Sequence, residues 1–532
     1  MKIKNNSFFL SLGSVVVAKK MQKSYNKKYS AFIYRWFYIM KKVFTKAAAQ
    51  EEPEELVAAR EKKQFDKMTK TPMPKLIISL GIPTTLSMMV TSLYNLADTY
   101  FVSLIGDDAI TAAVSNLLAL MSIIQAIGFT YGMGSGSIIS RLLGKRDREG
   151  ADKVASSSFF IAGISGLLIM ILGYLFMTPM LKLFGSVQEE VLRNSIDYAS
   201  YILIAAPFMC MSFVLNNVLR AEGKAVLSMI GLIVGALVNV VLDPILIFAL
   251  DMKVQGAALA TCFSQFLSFC VLLGMFLSGK TIVRLRTRSI SRKFNVYGDV
   301  VATGFPSFCR QILASLCTVF LNRAAFEYGA EAAQAALGVV QKVFMLAFSI
   351  SLGIGQGYQP VLGYNYSAKR FDRVRSAYLF TLCFSTTLMI VFAVCCAIFA
   401  PHLMNAFSLS EVATGIGTRT LRWQCICMPL LPVNFMASVT FQAVGSKVIA
   451  FIMSVSRQGL FYIPAVTILP SIWQLTGVEC CQAVSDFFAF LFAIPFTFLF
   501  FKTIKKEQEK AGKNVEGEGQ VCVEMQNFFS EE

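Results

Sequence analysis

From Lys75 onward the chain is a succession of twelve apolar segments, each longer than the about 20 residues a helix needs to cross a bilayer. The first six run 76–103, 109–139, 154–178, 196–219, 226–250 and 256–279; after a basic loop, six more run 296–323, 331–360, 374–400, 414–441, 447–470 and 477–502. Only 15% of the 532 residues are charged, against about 25% in soluble domains. These observations predict an all-α polytopic membrane protein with twelve transmembrane helices.

The formal net charge of +17 invites a nucleic-acid reading, but the placement of the charges argues against one. Basic residues concentrate in the first 75 positions, in alternate connections and at the C-terminal end. Arg141, Lys145, Arg146 and Arg148, then Arg220 and Lys224, then Lys280, Arg284, Arg286, Arg288, Arg292 and Lys293, then Lys369, Arg370, Arg373 and Arg375 mark one side. Asp107, Asp108, Glu189, Glu190 and Asp251 mark the other. The positive-inside rule explains this alternation, and an even number of spans puts both termini in the cytoplasm. The first 75 residues read as a cytoplasmic extension, poorly ordered. Ser7–Ala18 is apolar but too short to span, and residues 31–44 suit a membrane surface. Residues 50–70 form a charged helix or linker, and the expected native start is Met40 or Met68.

The two halves repeat. Gly81-Ile-Pro83 answers Gly304-Phe-Pro306, and the glycines 132, 134 and 136 answer 353, 355 and 357. Asp152-Lys-Val154 answers Asp372-Arg-Val374, Ala221-x-Gly223 answers Ala443-x-Gly445, and Gly256 with Ser264 answers Gly477 with Ser485. The offset drifts only between 220 and 223. Six spans per copy give both copies the same orientation, a pseudo-twofold tandem repeat around a shared cavity, as in transporters. The expected organisation is an extension (1–75), a six-helix lobe (76–279), a basic inter-lobe loop (280–295), a second six-helix lobe (296–502) and a cytoplasmic tail (503–532).

Within the first lobe, Asn239 and Asp243 lie four residues apart and share one helix face. Asp98 lies about two turns inside the outer end of span one, Asp243 about two turns inside span five, and Thr261 about one and a half turns into span six. The four side chains reach one depth and predict an oxygen-lined site, with Tyr94 on the same face as Asp98. A carboxylate within a membrane span costs several kcal/mol unless it has a partner or a polar cavity. Two in one low-dielectric pocket hold a proton or enclose a cation. The alternative, that each acid pairs with a buried base and only ties helices together, is weakened by the scarcity of bases in spans one to six. Asn216, near the other end of span four, is either a ligand or helix glue.

The second half lacks the acid pair: Leu321 or Asn322 stands near the Asp98 position and Pro464 at that of Asp243. It carries Arg310, Gln311, Lys342, Gln356 and Gln359 within its spans, and the bases among them, Arg310 and Lys342, either contact anionic groups or cancel Glu479 and Asp486. The glycine motifs permit close helix packing. The single histidine, His402, excludes histidine-box oxygenases and zinc peptidases, and the thirteen cysteines read as small apolar filler. No catalytic cluster appears in the short loops, so an intramembrane enzyme is not expected, nor any cofactor or metal beyond a coupling ion.

The stretches Leu93-Tyr-Asn-Leu-Ala-Asp98-Thr-Tyr-Phe-Val, Leu219-Arg-Ala-Glu-Gly223, Asn239-Val-Val-Leu-Asp243-Pro-Ile and Gly256-Ala-Ala-Leu-Ala-Thr261 resemble the multidrug and toxic compound extrusion (MATE) family. The resemblance covers about residues 70–505 and points to the subgroup with acids in the N-terminal lobe. It implies two six-helix lobes in a V around a central cavity, alternating between inward- and outward-facing states. It further implies H⁺ or Na⁺ at Asp98, Asn239, Asp243 and Thr261, with Tyr94 and Asn216 at nearby functional positions. The implied activity is export of drug-like, often cationic amphipathic compounds from the bacterial inner membrane, by a monomer with no nucleic-acid partner. A lipid-linked saccharide flippase is the alternative, favoured if basic residues line the cavity.

Overall fold

The computed structural model describes residues 54–530 apart from residue 408; the side chains of residues 54, 56, 103, 108 and 510–530 are not described. The apolar run Ser7–Ala18 and the aromatic stretch 31–44 lie outside the described residues. Eleven helical segments among the described residues are long and apolar enough to cross a membrane. One of them, Phe294–Ser367, is 74 residues long and is interrupted at Ala330, whose φ of 51° and ψ of −155° are not helical. Residues on both sides of Ala330 pack against the end of the same neighbouring helix, Val300 beside Gly134 and Gly363 beside Ser140. The chain therefore reverses at Ala330, and the described residues make twelve crossings.

Spans one to six are Met73–Ser103, Asp108–Gly144, Arg148–Leu175, Glu189–Ala221, Ala225–Pro244 and Lys253–Leu277. Spans seven and eight flank Ala330. Span nine is Phe371–Asn405, span ten Glu411–Val444, span eleven Lys447–Trp473, and span twelve opens the long helix Leu475–Ser530. Local signals set the ends. Asp107 accepts hydrogen bonds from the Ala109 and Ile110 amides to cap span two, and Gly445, at φ 98°, closes span ten. Span four is the most buried helix of the first lobe, and span ten is deeply packed in the second, most of all over Leu431–Val444. Spans five and eleven also match in carrying a wide π turn, Ile245–Ala249 directly after Pro244 and Ser456–Tyr462 within span eleven.

The lobes meet at the end that carries the basic connections. Thr84 donates to the Gly353 carbonyl (2.6 Å), Ser92 meets Ser349 (2.6 Å), and Arg141 donates to the Val444 carbonyl (2.9 Å). Arg220 reaches Gln356, and Gln359 donates to Ser137. Gly304 lies so close to the Thr130 carbonyl that any Cβ there would strike it. All these contacts fall within about 28 Å of the basic end, measured along the helices.

Two further pieces close this end. The basic connection between the lobes is pinned to the first lobe: Glu222 accepts from the Ile282 and Val283 amides (3.0 and 2.9 Å), and Asp152 accepts from the Arg284 amide (2.7 Å). The charged stretch Glu54–Lys70 is a helix bridging both lobes. Gln64 donates to the Glu222 carbonyl (2.6 Å), Asn365 donates to the Met68 carbonyl (3.0 Å), and Arg373 to the Thr71 carbonyl (2.6 Å). Met68 is fully buried in this joint.

Candidate functional site

Span five carries Asp243 immediately before Pro244 and the π turn. Both Asn239 and Asp243 are buried, at 1% and 0% exposure. The Asn239 amide donates to Asp243 Oδ1 (3.3 Å) and to Thr261 Oγ1 on span six (3.4 Å). Span one brings Asp98 within electrostatic reach of Asp243, and Tyr94, one turn below, lies in the field of both acids. Five of the six sequence-predicted residues therefore stand together: Tyr94, Asp98, Asn239, Asp243 and Thr261.

Asn216 does not join them. Its amide donates to the Ser228 carbonyl (3.1 Å) at the start of span five, 15 residues and so about 22 Å of helix from Asp243. It ties span four to span five near the basic end.

Two residues of the cluster have no counterpart in the sequence reading. Tyr198, on span four, is fully buried beside Thr261 and both acids. Gln265 on span six meets the Tyr94 hydroxyl. Gln265 stands one turn after Thr261 on the same face, a spacing readable from sequence. Tyr198 sits at a matching depth, but a single tyrosine in an apolar span carries no signal by itself.

The cluster has too many acceptors for its donors. Asp98 Oδ1, Asn239 Oδ1 and Asp243 Oδ2 are all buried without a hydrogen-bond partner. No salt bridge among the described residues reaches Asp98 or Asp243. Oxygens in this condition demand a proton or a small cation, since each unmet buried acceptor costs about 1–3 kcal/mol. Two carboxylates, an amide oxygen and a hydroxyl form a donor set suited to either.

The second lobe answers differently. Asp486, buried, accepts from Arg457 Nε (2.7 Å), and Glu479 is held by Arg419 (2.7 Å). Of the two roles open to Arg310 and Lys342, cancelling these acids is therefore ruled out: the cancelling bases are Arg457 and Arg419. Arg310 instead lies over the Phe435 ring and Lys342 over that of Phe407.

Comparison with known proteins agrees with this architecture. Residues 83–245 and 306–468 each match the MatE family, two copies set 223 residues apart. The multidrug export protein MepA of Staphylococcus saprophyticus is 26% identical over 426 residues, which cover 80% of this chain and 93% of that protein. MepA of Staphylococcus aureus is likewise 26% identical, over 435 residues, 81% of this chain and 94% of that one. A multidrug resistance MATE transporter solved in its outward-facing conformation superposes with a TM-score of 0.79 at 28% identity, covering 82% of this chain and 98% of that one. A MATE protein in complex with MaL6 gives 0.79 and 28%, over 84% and 99%. With two matched copies spanning most of the membrane region, the chain belongs to the MatE family and is a multi-pass membrane transporter.

Proposed function

We propose that the protein is a secondary active exporter that exchanges organic, often cationic amphipathic compounds for H⁺ or Na⁺ by alternating access. The observation that carries this reading is the base-free cluster of Asp98, Asn239, Asp243 and Thr261, with its unpartnered oxygens. An ion entering the cluster neutralises the acids, changes which lobe arrangement is favoured, and so lowers affinity for the exported compound; coupling of this kind is reciprocal. By the positive-inside rule the basic end is cytoplasmic, as are both termini. The lobes are clamped at that end, so the structure is read as open to the outside, with the ion site in the outward half. The membrane is then the plasma membrane, the transporter acts as a monomer, and Tyr94 supports the ion site.

The test is ethidium efflux from cells expressing the protein, with H⁺ and Na⁺ gradients imposed separately. One gradient drives efflux, and Asp98→Asn and Asp243→Asn each abolish the response at unchanged protein level. Undiminished efflux in both variants overturns the proposal. The second reading, a flippase for lipid-linked saccharides, draws on Arg310 and Lys342, neither of which meets a carboxylate among the described residues. It gains if neither gradient drives efflux while the protein moves an anionic lipid-linked precursor.

A further inference from the structure

The second lobe contains a small cavity of about 20 Å³ between spans seven, eight, ten and eleven. Two guanidinium groups line it, Arg310 and Arg457, and no carboxylate does. They flank a pair of aromatic rings: Arg457 lies 5.7 Å over Phe348, Arg310 lies 5.3 Å over Phe435, and the rings meet edge to face at 5.7 Å. Asn434, Gln458 and the mutually bonded hydroxyls of Ser438 and Ser454 complete the polar lining.

The charges here do not balance. Asp486 accepts from Arg457 (2.7 Å) and from the Gln482 amide (3.0 Å), so it answers the Arg457 charge and not that of Arg310. Arg310 donates through Nη2 to Ser307 at 3.4 Å, while its Nη1 is buried with no acceptor. Gln458 Oε1, on the same cavity wall, is also unpartnered and makes no hydrogen bond to it. A carboxylate in this position could take up a proton, but a guanidinium cannot give one up. A permanently charged group whose free donor is buried is stabilised by a counter-ion, because a water would satisfy the donor and leave the charge.

We infer that this cavity is a binding site for one small inorganic anion, a chloride-sized ion held by Arg310 and Arg457 on the aromatic pair. The volume decides the class of ligand: a space of this size admits about one water-sized particle, and an organic carboxylate or a phosphate group exceeds it. The ion is a structural counter-charge within the second lobe, independent of the cation cluster in the first and of whether the protein couples export to an ion gradient.

The test reads binding by purified protein in detergent, where no gradient exists. Melting temperature is followed as chloride replaces gluconate at constant ionic strength, and bromide-soaked crystals are searched for anomalous density. The expected result is a saturable rise with chloride and bromide, bromide density between Arg310 and Arg457, and at least about tenfold weaker halide dependence in Arg310→Gln, as for loss of a charged hydrogen bond. If Arg310→Gln does not fold, Arg310→Lys, which keeps the charge but loses the fork, serves with the bromide density to decide. A rise that ignores anion identity, a halide response unchanged in Arg310→Gln, a response to organic carboxylates alone, or absence of bromide at the cavity overturns the inference.

Discussion

In the first lobe, span five carries Asp243 against Asn239 and Thr261, and neither Asp243 nor Asp98 meets a base among the described residues. In the second lobe, span eleven carries Arg457 at the position of Gly235, and span twelve carries Asp486 at the position of Gln265, locked to each other at 2.7 Å. One repeat unit has thus been given two electrostatic solutions. A buried ion pair whose partners are both satisfied holds helices together, and removing either partner leaves a bare charge. Acids left without a base stay in the membrane at a cost and relieve it when a cation or proton arrives. The contrast assigns holding to the second lobe and loading to the first.

The contrast is broken most directly by removing one acid from each lobe. Asp486→Asn strands Arg457 and should destabilise the protein by about 3–5 kcal/mol, read as a large drop in the detergent melting temperature. Asp243→Asn removes an unpaired charge and should leave melting unchanged or raised while gradient-driven efflux is lost. If both variants melt equally early, the assignment of separate roles fails.

A smaller effect is expected where the lobes touch. Gly304→Ala puts a methyl group against the Thr130 carbonyl and should cost the basic-end-closed arrangement about 1–3 kcal/mol, as overpacking does. Spin labels placed on the basic ends of spans two and eight should report longer distances, with the ion dependence of the first lobe intact.

Tyr198→Phe sharpens the picture of the loading site. Loss of one hydroxyl beside the acids should weaken coupling-ion affinity by about 1 kcal/mol, seen as several-fold more ion needed for half-maximal efflux at an unchanged maximal rate. An unaltered ion dependence would place Tyr198 among the packing residues. The mildest outcome belongs to Asn216→Ala, which removes one hydrogen bond between spans four and five and should cost about 0.5–1.5 kcal/mol of stability. Its ion dependence should match the wild type; a lost response to the gradient would return Asn216 to the site.

The sequence by itself determined the twelve crossings, the doubled lobe and the depth at which each polar side chain sits. Depth is a one-dimensional quantity: a span must cross the bilayer, and each residue advances it by about 1.5 Å. Asp98, Asn239, Asp243 and Thr261 could therefore be gathered at one level before any neighbour was known. Which way each helix faces, and which helices touch, was decided only by the packing of twelve cylinders against one another. That packing turned Tyr198 into the acid cluster and turned Asn216 toward Ser228. It also gave Asp486 to Arg457 rather than to Arg310, and it folded Glu54–Lys70 across both lobes. Rotation about the helix axis is set by contacts between segments far apart in the chain, and neither hydropathy nor spacing within one segment records it.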